Sequence, residues 1–174
     1  GTFTALSSPS RTLILDGASN GTFSGILKDG TSIPALLEKR GAGMWILSGA
    51  NTYTGKTTVS DGTLQFAKRV SLTPTSWTAA NLVVESGATA AFNVGGTGEF
   101  TATNIYTLKA LGTGTGGFIS GAILGLDTAN ASGGFTYSGA IANPNGGANT
   151  LGLTKLGANT LTLSGANTYT GVTT

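Results

Sequence analysis

The sequence predicts an all-β protein in which short strands stack as a parallel solenoid, and three observations carry this prediction. Polar and apolar residues alternate over short runs such as Thr160-Leu161-Thr162-Leu163, as in half-buried strands. Breaks rich in Gly, Asn, Asp or Ser follow most runs, and no apolar stripe with helical spacing extends over ten residues. One stretch of the chain also occurs twice, which is the signature of a repeat architecture.

The duplicated stretch comprises residues 37–58 and 153–174. At a constant offset of 116 the two copies agree at 15 of 22 positions, and each contains the octapeptide SGANTYTG. Upstream, Phe23-Ser24-Gly25 is echoed by Tyr137-Ser138-Gly139. We therefore expect a single β-repeat unit over residues 1–174, continuing beyond both ends in a longer chain or assembly. Its copies lie at about 23–67 and 137–174 and flank a β spacer at 68–136.

The individual strands are predicted from the alternating runs, about sixteen in all. Besides the run that ends at Leu163, the clearest are residues 12–15, 44–47, 63–66, 81–84 and 105–108. A spacing of about eleven residues fits either a parallel β-helix or a β-sandwich of jelly-roll type with an open edge. The duplication, the scarcity of charge, the abundance of Gly and Thr, and the Thr/Asn runs that can form ladders favour the β-helix.

A family resemblance rests on the second copy, which reads L-x-K-x-G-x-x-T-L-x-L-S-G-A-N-T-Y-T-G-x-T-T from Leu153 to Thr174. This string resembles the autotransporter-associated β-strand repeat, and the first copy adds the usual continuation Val59-x-x-Gly62-Thr63-Leu64. The resemblance implies a passenger-type segment of a large secreted protein of Gram-negative bacteria. It also implies a right-handed β-helix and an extracellular or cell-surface location.

The octapeptides are interpreted as structural turns of the scaffold. Their glycines are expected to adopt positive φ, their asparagines to close turns or form an amide ladder, and their tyrosines to pack over the turn and the neighbouring coil. Stacking of sugars on the tyrosines is the alternative. The residues concerned are Gly49, Asn51, Tyr53, Gly55, Gly165, Asn167, Tyr169 and Gly171.

The two ends of the sequence suggest assembly. The second copy stops where the first continues into residues 59–66, while the opening residues imitate the GTLQF string at 62–66. We expect an incomplete end to be completed by a strand of the next unit, so that the partners are copies of the chain or adjacent repeats, head to tail. The candidate assembly residues are Gly1, Thr2, Phe3, Thr4, Ala5, Thr173 and Thr174.

The composition limits the chemistry of this chain. It contains 174 residues with no Cys and no His, which excludes thiolate chemistry, Cys-ligated metals and an imidazole base. Nine basic residues against seven acidic ones, without a basic cluster, argue against nucleic-acid binding, and no run is long enough to span a membrane. We therefore expect a protein that is not an enzyme and has no cofactor or metal.

Taken together, these features predict a non-catalytic structural segment of an extracellular bacterial fibre or adhesin-like surface protein. One alternative is a carbohydrate-binding module that uses exposed Tyr or Trp side chains, with surface glycans as partners. Exposure of Trp45 and Trp77 on one open face would favour that module, and their burial would oppose it. A β-helical polysaccharide-degrading enzyme is a further alternative, and it would require two neighbouring acids in a groove.

Overall fold

The computed structural model describes residues 2–4 and 11–174, which form fifteen short strands, one α-helix and three single-turn 3-10 helices. The strands of the first half are β1 (Thr2–Thr4), β2 (Arg11–Leu15), β3 (Gly21–Phe23), β4 (Ile26–Lys28), β5 (Ala35–Lys39), β6 (Met44–Leu47), β7 (Thr57–Val59) and β8 (Thr63–Phe66). They are followed by β9 (Leu82–Val84), β10 (Thr89–Asn93), β11 (Gly117–Phe118), β12 (Ala122–Asp127), β13 (Phe135–Tyr137), β14 (Leu151–Leu156) and β15 (Leu161–Leu163). The helix α1 spans Ala102–Leu108, and the 3-10 turns are Arg69–Ser71, Pro74–Ser76 and Asn145–Gly147.

All pairings between these strands are parallel, and each strand pairs with the strand one coil before or after it. A six-stranded sheet has the order β14-β12-β10-β8-β6-β3, and a five-stranded sheet has the order β11-β9-β7-β5-β2. Two smaller sheets pair β1 with β4 and β13 with β15. This stacking confirms the predicted parallel β-solenoid, and the antiparallel sandwich is wrong.

The core consists of ladders of identical or similar side chains from successive coils. In the six-stranded sheet the register places Leu47, Phe66, Phe92 and Leu126 directly above one another, and all four are buried. The rings of Phe66 and Phe92 stack with centroids 5.6 Å apart. Each added coil buries apolar surface, and this burial stabilises the fold by about 25 cal/mol per Å². A chain poor in large apolar residues therefore still obtains a continuous core.

Residues 105–108, predicted as a strand, lie instead in α1, so this prediction was wrong. Thr101 caps the helix: its side chain accepts a hydrogen bond from the Asn104 amide at 3.3 Å, and the Asn104 side chain accepts one from the Thr101 amide at 3.0 Å. This capping box satisfies amides that a helix end otherwise leaves unpaired. Ile105 and Leu108 face the core, whereas Tyr106 is 63% exposed. The spacing of Ile105 and Leu108 is i, i+3, which places both residues on one face of a helix.

The two copies share the same internal register but occupy different faces of the solenoid. Strand β3 pairs with β6 as β13 pairs with β15, which aligns Phe23 with Tyr137. However, Leu37 lies in the five-stranded sheet and its equivalent Leu153 in the six-stranded sheet. The strands of the spacer continue both stacks and add a long coil that contains α1. As a result of the spacer, each strand of the second copy lies one face further around the solenoid than its equivalent in the first copy.

Candidate functional site

The asparagine of the first octapeptide joins three successive coils through one side chain. Asn51 Oδ1 accepts a hydrogen bond from the Leu27 amide at 2.9 Å, and its Nδ2 donates to the Ser71 carbonyl at 2.7 Å. These partners lie 24 residues before and 20 residues after it. Because Asn51 is buried, its side-chain amide has no access to water, and these two bonds take the place of hydrogen bonds to water. Asn51 thus joins neighbouring coils through main-chain atoms.

The tyrosine of the first octapeptide is a core residue. Tyr53 is fully buried, its hydroxyl lies 2.7 Å from Thr57 Oγ1, and its carbonyl accepts a hydrogen bond from the Thr73 hydroxyl at 2.9 Å. Burial raises the pKa of Tyr53 to about 12. A ring in this position is not available for stacking on a sugar.

A carboxylate fastens the same turn from the preceding coil. Asp29 Oδ1 accepts hydrogen bonds from the amides of Ala35 (2.8 Å) and Thr54 (3.0 Å), and Oδ2 accepts one from the Thr54 hydroxyl (2.6 Å). Burial raises the pKa of Asp29, but the hydrogen bonds from Thr54 and Ala35 lower it by more, so the pKa lies below its ordinary value.

The octapeptide glycines are required because neighbouring main chain approaches closely, and the prediction that they adopt positive φ was wrong. A Cβ on Gly49 would overlap the Gly25 carbonyl, and one on Gly55 would overlap the Ala35 carbonyl. Gly165 and Gly171 are crowded in the same way by the main chain one coil earlier. None of the four has the left-handed backbone.

The left-handed glycine of the motif lies further upstream, two residues after its lysine. Gly41 and Gly157 have φ of 65° and 75°. The ammonium groups of Lys39 and Lys155 donate to the carbonyls of Gly41 and Gly157, respectively. Lys39 is buried with its ammonium on three main-chain carbonyls, and burial lowers its pKa.

The second octapeptide reproduces this geometry almost bond for bond. Asn167 Oδ1 accepts from the Ile141 amide at 2.9 Å, and the hydroxyls of Tyr169 and Thr173 are 2.8 Å apart. Asn143 takes the place of Asp29: its Oδ1 accepts from the amides of Leu151 (3.1 Å) and Thr170 (3.0 Å), and its Nδ2 donates to the Thr170 hydroxyl (2.9 Å).

The two copies differ in what covers them. Tyr169 is half-buried and Asn167 is exposed. In the first copy Asn51 Nδ2 donates a hydrogen bond to the Ser71 carbonyl, whereas Asn167 Nδ2 has no acceptor among the described residues. Val172 is 72% exposed. Within the described part of the chain, no coil stacks on this face of the second copy.

The candidate assembly residues are placed as follows. Gly1 and Ala5 lie outside the described residues. Thr2–Thr4 forms β1 beside β4, rather than in the six-stranded sheet that holds residues 63–66. Thr173 bridges Leu153, and the Thr174 amide donates to the Leu153 carbonyl at 3.0 Å, so both C-terminal threonines pair with β14.

Several acidic side chains accept hydrogen bonds from main-chain amides in turns. Asp16 accepts from the Gly17 amide, Asp61 from the Gly62 amide, and Asp127 from the Ala129 amide. Glu99 accepts from the Gly96 amide at 2.7 Å. Over residues 2–4 and 11–174, no three His, Cys, Asp or Glu side chains are grouped so that they could hold a metal ion. No helix in the same ranges combines the length and apolarity needed to cross a membrane.

The two tryptophans are half-buried and serve as packing residues. Trp45 lies over Gly21 and donates from its indole nitrogen to the Asp16 carbonyl at 3.1 Å. Trp77 packs against Phe100 with ring centroids 6.0 Å apart. The two tryptophans therefore form neither an open platform for a sugar nor a fully buried pair.

Sequence reasoning missed several residues that the structure brings into play. Lys39 and Lys155 belong to the repeated L-x-K-x-G string, so their repetition was the available signal. Asp29 and Asn143 are related by the same offset of 114 that relates Phe23 to Tyr137, but they differ in type. Tyr106 gave no signal, because it lies in the spacer, which has no internal counterpart.

Comparisons with known proteins agree with this geometry. The passenger-associated-transport-repeat family profile matches residues 37–66 and 153–174, the two copies described above. The chain is 36% identical over 174 residues to the protein named adhesin BmaC autotransporter from Brucella suis biovar 1 (strain 1330). That match covers 95% of this chain but only 4% of the relative's length. No solved structure matches the chain. The resemblance to autotransporter-associated repeats is thereby confirmed, and the chain carries two copies of the passenger repeat.

Proposed function

We propose that this chain, which carries the passenger repeat in two copies, is a non-catalytic structural segment of a bacterial surface adhesin. Its coils continue end to end by parallel stacking, and the resulting rod displays the loops that lie between strands. Two findings support this function: the repeat is of passenger type, and the similar protein is named an autotransporter adhesin. A location at the cell surface or outside the cell belongs to the same proposal.

The observation that carries the proposal is the contrast between the two octapeptides. They share the asparagine bond to the preceding coil and the tyrosine–threonine pair. Within the described residues, only the first is covered by a following coil, whose Ser71 and Thr73 add two further bonds. The second copy presents an unmet amide donor on Asn167 and a partly bare Tyr169 ring. A coil equivalent to residues 59–84 supplies a carbonyl and apolar cover for these two groups. Because an open β edge invites pairing, the same geometry supports the proposed end-to-end continuation.

A chimera tests this continuation directly. Residues 59–84 are appended after Thr174, where they take the place that they hold after Thr58, and a Gly/Ser tail of equal length serves as the matched control. We expect the coil to raise the melting temperature by about 5 °C relative to the control, since it buries the open end. Amide hydrogen exchange around Tyr169 should slow at the same time. Equal melting temperatures and equal exchange in the two proteins would refute end-to-end stacking.

A further inference from the structure

A cleft of about 270 Å³ lies where α1 meets the second copy of the repeat. It is lined by Ala102, Thr103 and Tyr106 of the helix and by Tyr137, Ser138 and Gly139 after it in the chain. This volume is slightly below the range for drug-sized ligands, so the cleft suits a single small ring. Four of its six lining residues carry a hydroxyl group, and none is acidic or basic.

One of the residues that line the cleft, Tyr137, carries a buried polar atom without a partner in the described part of the chain. Tyr137 is 1% exposed, and its hydroxyl has no hydrogen-bond partner among the described residues. Gly139, which also lines the cleft, lies against it: a Cβ at that glycine would be 2.6 Å from the hydroxyl. A buried hydroxyl without a partner is unfavourable, which is a reason to expect a ligand or water there. The hydroxyls of Tyr53 and Tyr169, in contrast, each have a threonine partner.

The internal repeat shows that this hydroxyl is not needed for the fold. Tyr137 is equivalent to Phe23, which occupies the same register position in the first copy and packs against the core without a hydroxyl. Among residues 2–4 and 11–174, no helix equivalent to α1 lies beside Phe23-Ser24-Gly25 of the first copy. Within these ranges, the tyrosine hydroxyl and the helix that lines the cleft occur together at the second copy.

The rim of the cleft carries an exposed aromatic ring. Tyr106 is 63% exposed, and the Lys109 ammonium lies 5.1 Å from the centre of its ring. This cation–π contact holds the ring in place. An exposed, oriented tyrosine next to several hydroxyls combines an apolar surface with groups that both donate and accept hydrogen bonds. Sugars present the same combination, because their C–H faces are apolar and their hydroxyls donate and accept.

We infer that the cleft between α1 and the second repeat binds one pyranose residue of a glycan. The sugar stacks on Tyr106, and its hydroxyls pair with Tyr137 and with Thr103 or Ser138. This binding goes beyond the structural function proposed above and does not depend on stacking of coils. A chain that fails to extend end to end can still bind a sugar, so the two proposals fail separately.

The test is a glycan array, followed by titration of the purified chain with the monosaccharides that bind most tightly. Neutral sugars form one arm of the experiment and acidic sugars form the other. We expect millimolar or tighter binding of at least one pyranose. Preference for the acidic arm would assign Lys109 as a charge contact, and preference for the neutral arm would assign recognition to the hydroxyls alone; both support the site. Absence of binding to every pyranose in the array would overturn the inference.

Three variants locate the binding. Tyr106→Ala should weaken it at least tenfold and Tyr137→Phe about tenfold. The matched control Tyr169→Phe removes a hydroxyl that pairs with Thr173 and does not line the cleft, so it should leave binding unchanged. Tyr137→Phe should fold normally, as Phe23 does, with a melting temperature equal to or above that of the parent. Binding that survives both Tyr106→Ala and Tyr137→Phe would show that the sugar lies elsewhere and would refute the assignment.

Discussion

At the scale of single residues, both copies of the repeat place glycines where main chain of another coil comes close. The residue type alone does not show this contact. Gly55 and Gly171 are needed because the carbonyls of Ala35 and Leu151 occupy the space where a Cβ would stand. The sequence indicated that these positions require glycine, but not the reason. Close approach of main chain from another coil is a tertiary property, whereas positive φ is a local one.

Substitution of Gly55 by alanine tests this steric explanation. We expect Gly55→Ala to lower the free energy of unfolding by about 2–4 kcal/mol, since main chain must shift to relieve the overlap. Gly114→Ala is the matched control, because nothing lies within 4 Å of a Cβ there and its φ is not in the left-handed range. Chemical denaturation measures both. A cost at Gly55 no larger than at Gly114 would contradict the close approach.

Substitution of Asp29 by asparagine tests the charged clasp through its pH dependence. The folded pKa of Asp29 is lowered, so its contribution to stability is present above the ordinary pKa and is lost as the pH falls through the folded value. We expect the parent to be more stable than Asp29→Asn at pH 7 and the difference to shrink below about pH 4. Asn143 shows that an amide can make the same contacts. Parallel stability curves from pH 7 to pH 2 would contradict this role.

At the scale of elements, the strands were predictable and the helix was not. Residues 12–15, 44–47, 63–66, 81–84 and 160–163 all contain or overlap observed strands, because alternation reports one buried face. Ile105 and Leu108 have the i, i+3 spacing of one helical face, and the capping box at Thr101 and Asn104 favours the helix. The cleft depends on that helix, so this error also concealed the candidate sugar site.

A comparison of the two asparagines tests how a coil depends on its neighbours. Asn51→Ala leaves the Leu27 amide and the Ser71 carbonyl unpaired in the interior, and we expect a cost of about 2–4 kcal/mol. Asn167→Ala removes one bond at an exposed position, and we expect about 0.5–1.5 kcal/mol. Denaturant titration of both variants gives the comparison. Equal costs would mean that cover by the following coil adds nothing to the motif.

At the scale of the whole molecule, stability comes from ladders that extend from coil to coil. Leu47, Phe66, Phe92 and Leu126 lie in one such column, so each coil depends on the next for its cover. This arrangement is quasi-one-dimensional, and its ends are its weakest points. The chimera with an appended coil tests whether a further coil stabilises the entire chain. The sugar titration tests the cleft between α1 and the second repeat.

The sequence by itself determined the fold class and the repeat, because strand alternation, turn residues and duplication are all local or periodic signals. It also predicted that the octapeptides are turns of the scaffold. Only the tertiary structure decided which atoms those turns contact, which face each copy occupies and where Tyr106 meets Tyr137. Parallel stacking joins residues 19 to 34 positions apart, and a single spacer of irregular length shifts every later contact. Local periodicity contains no record of that shift.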